Sequence, residues 1–295
     1  MRIAHSFWTK PACQGRWAID DQVIKDLWLF ALSAHYVKKN GYPLVLHTDQ
    51  VGEQLYGILP YDEIHRTLDN IDVPDVFWAA GKMHALRLEP LGTVHIDGDV
   101  FLKHPDVYEI IGMPGYDLIV QSYDWSGALM MVLKVLRPYL LKEFPWMLSP
   151  TDKTSVELSY NTGVFCFHNQ ELKDRYLDAY RDVALYLSRS KRLIEHLRIN
   201  RHGDTAATNM CADLVVEQKM LRSIALSNGY RVHKIIDEVP TKDRAWMGAG
   251  GQTEIYDHFI WTLKYKQLDV IKETLRAQNP GLYDKVATRI AEFNA

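Results

Sequence analysis

The sequence has few of the features that assign a chain to a specialised class of protein. Only three of its 295 residues are cysteines, Cys13, Cys166 and Cys211, and no two of them form a C-x-x-C pair. An odd number of widely spaced cysteines argues against a disulfide framework and against a structural zinc site. The cysteine content therefore favours a reducing compartment.

Long apolar segments and a strong excess of one charge are also missing. No apolar run reaches the roughly 20 residues that a membrane-spanning helix needs, and the first residues lack the long apolar region and cleavage site of a signal peptide. The formal net charge of -3 gives no indication of general affinity for nucleic acid. These absences predict a cytoplasmic protein that does not bind nucleic acid, with peripheral attachment to a membrane left open.

The sequence does contain a regular alternation of strand and helix signals. Residues 2–8 and 42–48 have the apolar character of buried strands, and residues 20–38 and 75–89 have the spacing of helices. Alternation at this interval is typical of an α/β sheet with parallel strands. We therefore expect a mixed, mostly parallel central sheet flanked by helices.

Two carboxylates, Asp97 and Asp99, stand on either side of Gly98 between two short apolar runs. Inside a buried strand they would repel each other and lose hydration at a high free-energy cost. At the carboxyl end of a parallel strand, where ligands bind in such sheets, they could hold Mg²⁺ or Mn²⁺. The alternative is a turn in which both aspartates accept hydrogen bonds from backbone amides.

The segment TVHIDGDVFL resembles the DxD segment of GT-A-type glycosyltransferases. Four further segments are similar to motifs of the family-8-like members: Gly81-Lys82, SYNTGVFCFHN, VVEQKML and HFIWTLK. The whole chain resembles a little-characterised group of bacterial GT-A-like proteins. The resemblance implies a GT-A, Rossmann-like nucleotide-diphospho-sugar transferase fold over residues 1–267, with residues 268–295 as a helical extension packed on the same domain.

The resemblance also implies a set of site residues. Asp97, Asp99 and His258 would bind Mn²⁺ or Mg²⁺, and Asp97 would contact the donor diphosphate through that ion. The remaining candidates are Lys82 and Lys264 beside the diphosphate, Trp8 and His5 near the donor, Glu217 and Gln218 beside the anomeric carbon, and Asn161 at the acceptor hydroxyl. The carboxyl-terminal motif departs from the family pattern, because Trp261 replaces its glycine.

Each candidate outside the DxD also has an ordinary structural explanation. Trp8, His5 and His258 fit aromatic or imidazole groups packed in a core, whereas Lys82 and Lys264 fit solvated lysines. Asn161 fits a turn residue, and Glu217 and Gln218 fit an exposed helix face. These alternatives are open from the sequence alone.

The resemblance implies a metal-dependent glycosyltransferase, a hexosyl- or related transferase. It would move a sugar from a nucleotide-diphosphate sugar, with a UDP-sugar favoured, to a hydroxyl group of an unknown saccharide, lipid or protein acceptor. The sequence has no isolated, well-placed general base, which favours retention of the anomeric configuration. Two alternatives are a non-catalytic nucleotide- or carbohydrate-binding protein of the same fold and a haloacid-dehalogenase-type phosphohydrolase.

Overall fold

The computed structural model describes residues 1–14, 22–124, 127–148, 158–199, 212–236, 256–258 and 266–293. Within these ranges the strands are β1 Ile3–Phe7, β2 Leu44–Thr48, β3 Glu63–Arg66, β4 Val94–Ile96, β5 Val100–Leu102, β6 Leu118–Asp124, β7 Ser159–Phe167, β8 Val232–Lys234 and β9 Tyr256–His258. Seven of them form one sheet in the order β3-β2-β1-β4-β7-β6-β8, and β5 pairs with β9.

The central sheet is mixed and mostly parallel, as predicted. Within it β7 alone is antiparallel to its two neighbours, β4 and β6, whereas the other pairings are parallel. The amino-terminal half of β7 therefore lies at the same edge of the sheet as the carboxyl ends of β4 and β6. This edge is where ligands bind in open α/β sheets.

The helices of the described ranges flank the central sheet. They are α1 Thr9–Gln14, α2 Gln22–Lys39, α3 Gln50–Tyr56, α4 Ala80–Leu88, α5 Pro105–Ile111, α6 Gly127–Glu143, α7 Gln170–Ser188, α8 Lys191–Ile199, α9 Met220–Ser227, α10 Leu268–Gln278 and α11 Pro280–Phe293. A 3₁₀ turn follows α6 at Pro145–Leu148, and a π-helical turn precedes α9 at Leu214–Lys219. None of the helices in these ranges combines the length and apolar character needed to cross a bilayer.

The last two helices pack against α2. Ile271 and Leu275 of α10 and Leu282 of α11 are buried in the same apolar cluster as Trp28 and Leu32 of α2. Burial of such side chains contributes about 1.5–3 kcal/mol each to folding, which is enough to hold both helices on the rest of the chain. The predicted domain boundary at residue 267 stays a prediction.

Two strands differ from the sequence-based expectation. The sequence left Asn161 open as a turn residue, but β7 begins at Ser159 and includes Asn161 and Thr162. Ser159 and Asn161 lie opposite Asp124 and Ser122 of β6, and β4 pairs with Val164–Cys166, the later part of β7. Pairing with β6 therefore accommodates the buried polar start of the strand. The short strand β3 was not predicted, since its sequence EIHR has polar, exposed ends and lies at the edge of the sheet.

Candidate functional site

Asp97 lies directly after β4, in a tight turn that the protein fixes on both sides. Its amide donates a hydrogen bond to the carbonyl oxygen of Gly163 in β7 (2.8 Å), and its own carbonyl oxygen accepts one from the amide of Val100 (3.0 Å). Gly98 packs on the ring of Phe30, and a Cβ at that position would lie only 2.1–2.5 Å from three ring carbons. Only glycine at position 98 leaves room for α2, which carries Phe30, to pack this closely on the turn.

Lys82, on the first turn of α4, is buried beneath Asp97. Its Nζ donates to Asp97 Oδ1 (2.7 Å), to Glu217 Oε1 (2.8 Å) and to the carbonyl oxygen of Thr162 (3.2 Å). The ammonium thus uses its three hydrogens on two carboxylates and one backbone carbonyl. A buried lysine with this many partners is held in one position, so we describe Lys82, Asp97 and Glu217 together as the carboxylate–lysine cluster.

Glu217 reaches the cluster from the π-helical turn. Its Oε1 accepts a second hydrogen bond, from Thr162 Oγ1 (2.7 Å), and its backbone carbonyl accepts one from the hydroxyl of Tyr176 (3.3 Å). The other carboxylate oxygen, Oε2, is buried, and neither it nor the buried Oε1 of Gln218 has a hydrogen-bond partner within the described residues. Buried acceptors without a donor are rare in native proteins, and π-helical turns are common at functional sites.

The charges of the cluster shift the protonation equilibria of its members. Burial lowers the pKa of Lys82, but the attraction of Asp97 and Glu217 outweighs burial and raises it overall, so the lysine stays charged. Burial, together with the negative charges of Asp99 and Glu217, raises the pKa of Asp97 to about 6 against the opposing effect of Lys82. Asp99 is therefore close enough to repel Asp97.

His95 lies on the other side of Asp97 and does not neutralise it. Its Nδ1 is 3.9 Å from Asp97 Oδ1, and its Nε2 lies 2.8 Å from the hydroxyl oxygen of Ser6. Burial holds the pKa of His95 well below its usual range, and the positive charge of Lys82 lowers it further. The imidazole is thus neutral at pH 7 and adds no positive charge beside Asp97.

The segment that follows the two aspartates leads to a second predicted metal ligand. β5 begins at Val100, and the residue opposite Val100 in the pairing with β9 is His258. The backbone of His258 therefore lies across from the residue that follows Asp99. The side chain of His258 and the whole of Lys264 lie outside the described residues.

The remaining predicted residues occupy different surroundings. Asn161 is buried in β7, where its Oδ1 accepts a hydrogen bond from the amide of Gly163; it directly precedes Thr162, which contacts Lys82. Trp8 is buried against Gly81, where an added Cβ would lie 2.8 Å from the Trp8 Cβ. Both residues thus lie next to the cluster.

His5 is a core residue in this structure. It is fully buried, its Nδ1 lies 2.9 Å from the hydroxyl of Tyr61, and its Nε2 lies 3.1 Å from the hydroxyl of Ser33. Burial lowers the pKa of His5 to about 3, so the ring is neutral. Its two ring nitrogens already have partners within the fold, and the structure does not bring it into the cluster.

Thr162 contacts the carboxylate–lysine cluster, and the sequence analysis missed it. It contributes both its carbonyl oxygen, to Lys82, and its hydroxyl, to Glu217. A signal was available in the sequence, because Thr162 follows Asn161 in the segment that resembles the glycosyltransferase motif. The sequence alone gave no reason to join it to a glutamate 55 residues later.

The residues present fit a divalent cation. Asp97 and Asp99 offer hard carboxylate oxygens at a strand end, and Asp97 is 24% exposed although its Oδ1 contacts buried Lys82. The described residues contain no group of three or more histidine, cysteine and acidic side chains arranged to hold a metal ion. Two carboxylates would leave coordination positions for water and for a phosphate-bearing ligand, as Mg²⁺ usually requires.

Together these features define an α/β protein with a candidate ligand site at the carboxyl edge of a mostly parallel sheet. The chain belongs to the family of unknown function DUF6734, which matches residues 1–289. No curated protein matches the sequence significantly.

Two solved structures of glycosyltransferases are similar to this chain. Mouse xyloside xylosyltransferase 1 in its apo form shares 11% identity, with 79% of this chain and 84% of that chain covered and a TM-score of 0.37. The galactosyltransferase LgtC in complex with donor and acceptor sugar analogues shares 10% identity, with 94% and 100% covered and a TM-score of 0.42. Likenesses at these values do not assign a function, which therefore rests on the site of this chain.

Proposed function

We propose that this protein is a metal-dependent glycosyltransferase that uses a nucleotide-diphosphate sugar, with a UDP-sugar favoured. The observation that carries the proposal is the position of Asp97 at the carboxyl end of β4, where its partly exposed carboxylate is held by Lys82 and lies close to Asp99. A divalent cation would offset the repulsion between these two aspartates, and hard cations prefer such oxygen ligands.

We assign a part to each residue that would bind the cation and the diphosphate. Lys82 occupies Oδ1 of Asp97, which orients the carboxylate and leaves its other oxygen, together with Asp99, for the cation. His258 would contribute a third ligand from β9, because its backbone is paired with the residue after Asp99. A cation held there would act as a Lewis acid on the leaving diphosphate, and Lys264 would add positive charge beside the same group.

The unpartnered oxygens of Glu217 and Gln218 support a ligand that donates hydrogen bonds. Glu217 Oε2 and Gln218 Oε1 are buried and lack a donor within the described residues. Sugar hydroxyls are donors of this kind, and a bound sugar would satisfy both acceptors. We assign Glu217 and Gln218 to the transferred sugar and Asn161 to the acceptor hydroxyl, with the anomeric configuration retained.

The position of the DxD favours a transferase over a phosphohydrolase of the haloacid-dehalogenase type. In those enzymes the aspartates usually follow the first strand of the core, whereas Asp97 follows β4, after β1, β2 and β3. A non-catalytic binding protein would share the donor site but would not break the bond between sugar and diphosphate. Measured cleavage of a nucleotide sugar therefore distinguishes a transferase from a binding protein.

The first test is a thermal-shift titration with UDP and with GDP, each with and without Mn²⁺. A ligand that binds only the folded state raises Tm by mass action, by an amount equivalent to about 2.7 kcal/mol at 100 times its Kd. We expect UDP to stabilise the protein only when Mn²⁺ is present. The Asp99→Asn variant should lose that stabilisation, because it removes one carboxylate charge while keeping the shape of the side chain.

Asp106→Asn is the matched control, since Asp106 is an exposed aspartate in α5, shortly after Asp99 in the sequence. It should respond to UDP and Mn²⁺ like the wild type. Release of UDP from a UDP-sugar, measured with wild type and Asp99→Asn, then distinguishes an enzyme from a binding protein. Equal Tm values with and without nucleotide and Mn²⁺, for wild type and for Asp99→Asn, would overturn the assignment.

A further inference from the structure

The outer face of α6 carries cations and apolar side chains in one line. Met130, Lys134, Arg137 and Leu141 are exposed and follow one another at intervals of four, three and four residues. Residues at these intervals lie on the same face of a helix. We call these four residues the α6 line, which is about 16 Å long at 1.5 Å per residue.

Within the described residues, no hydrogen bond or ion pair engages the side chains of the α6 line. Met130 is 43% exposed and Leu141 is 50% exposed, whereas the opposite face of α6, with Leu129, Val132, Leu133, Leu136 and Leu140, is buried in the core. Lys134 and Arg137 form no ion pair in the described part of the chain. The two cations thus lie between two exposed apolar side chains on one helix face, a combination that suits an interaction surface.

The neighbouring helix extends the positive charge. A cavity of about 400 Å³ separates α6 from α8 and is lined by Val135, Tyr139, Arg192, Leu193, Glu195 and His196. Lys142 on α6, Arg189 just before α8, and Lys191 and Arg192 in α8 are also exposed, together with the acidic Glu143 and Glu195. Basic side chains therefore outnumber acidic ones on this surface, although the whole chain has a formal net charge of -3.

We propose that the α6 line docks on an anionic lipid bilayer. Basic residues near such a surface are attracted to its headgroups, and apolar residues among them insert at the boundary of the acyl chains. Nucleic acid would attract Lys134 and Arg137 but would offer no apolar partner to Met130 and Leu141. The α6 line therefore fits a bilayer better than a polyphosphate backbone, and the inference does not depend on the proposed transferase activity.

The test is co-sedimentation of the full chain with vesicles of phosphatidylcholine alone and of phosphatidylcholine mixed with phosphatidylglycerol. We expect binding to the anionic vesicles only, weakened by salt because surface charges are screened. Lys134→Glu/Arg137→Glu should bind at least tenfold more weakly, since each basic residue near the surface contributes about fivefold in affinity. Met130→Ser/Leu141→Ser should also weaken binding, because it removes the apolar contacts and keeps the charge.

The matched control is Lys266→Glu/Lys285→Glu, which changes the same charge at exposed lysines outside α6 and α8. Circular dichroism and Tm verify that each variant is folded. Absence of binding to anionic vesicles would overturn the inference, as would equal loss of binding in the control variant. Unchanged binding of Met130→Ser/Leu141→Ser would also overturn it, and would instead indicate a surface for a polyanion such as nucleic acid.

Discussion

Replacing Lys82 by methionine should be among the most destabilising single changes near the site. Methionine keeps much of the side-chain volume but removes the ammonium that bonds to Asp97, Glu217 and the Thr162 carbonyl. Removing one partner of a buried ion pair costs about 3–5 kcal/mol, because the remaining charge is left uncompensated. We therefore expect Lys82→Met to lower the free energy of unfolding by that amount.

The same structure predicts how the cost divides among the partners. Glu217 is buried and depends on Lys82, whereas Asp97 is 24% exposed and keeps some access to water. Most of the cost should therefore come from Glu217. In the double variant Lys82→Met/Glu217→Gln we expect at least about 1.5 kcal/mol of that cost to be recovered, which a double-mutant cycle measures as coupling.

Urea denaturation, followed by circular dichroism, measures these differences without any ligand. Lys173→Met is the matched control, because Lys173 is also buried but donates to the backbone carbonyl of Glu89 and not to a carboxylate. It should cost less than Lys82→Met. Two results would contradict this reasoning: equal losses of unfolding free energy in the two lysine variants, or a loss in the double variant equal to the sum of the two single losses. Either would mean that the Lys82–Glu217 ion pair does not stabilise this edge of the sheet.

Three further predictions concern the fold around the site. Burial lowers the pKa of His5 to about 3, so protonation of the unfolded chain should lower the free energy of unfolding as pH falls below about 6.5. The loss is about 2 kcal/mol at pH 5. Denaturation of His5→Gln should therefore show a flatter pH dependence than that of the wild type. Gly98→Ala should cost about 1–3 kcal/mol through its clash with Phe30, and Gly98→Ala/Phe30→Leu should recover part of the lost Tm. Burial raises the pKa of Cys166 to about 12, so in a variant with the other two cysteines replaced by serine, a thiol reagent should react only after urea unfolds the chain.

The parts of the fold with strong apolar periodicity were predictable from the sequence. The runs that form β1, β2 and β4 are short and apolar, and their alternation with helices predicted a mostly parallel sheet, which is confirmed. The first residues of β7 were not predictable as a strand, because Ser159, Asn161 and Thr162 are polar and resemble a loop. They are buried in a strand because β7 pairs with β6 along this stretch.

The candidate site was predictable as a set of residues but not as an arrangement. The DxD and the lysine of α4 came from sequence patterns, yet the ion pair between Lys82 and Glu217 joins residues 135 positions apart. The π-helical turn that carries Glu217 also has no signal in the periodicity, since VVEQK fits an ordinary α-helix. The roles assigned to Asp97, Asp99 and the other candidates stay predictions until ligands are tested.

The position of β7 between two strands that precede it in the sequence has a consequence for how the chain is made. Its neighbours β4 and β6 both precede it in the sequence, and they join the same sheet only through it. During synthesis, both strands therefore expose an unpaired edge until residues 159–167 leave the ribosome. Unpaired edges of this kind are prone to aggregate. Nascent chains that end between β6 and β7 should consequently be the ones that depend most on chaperones.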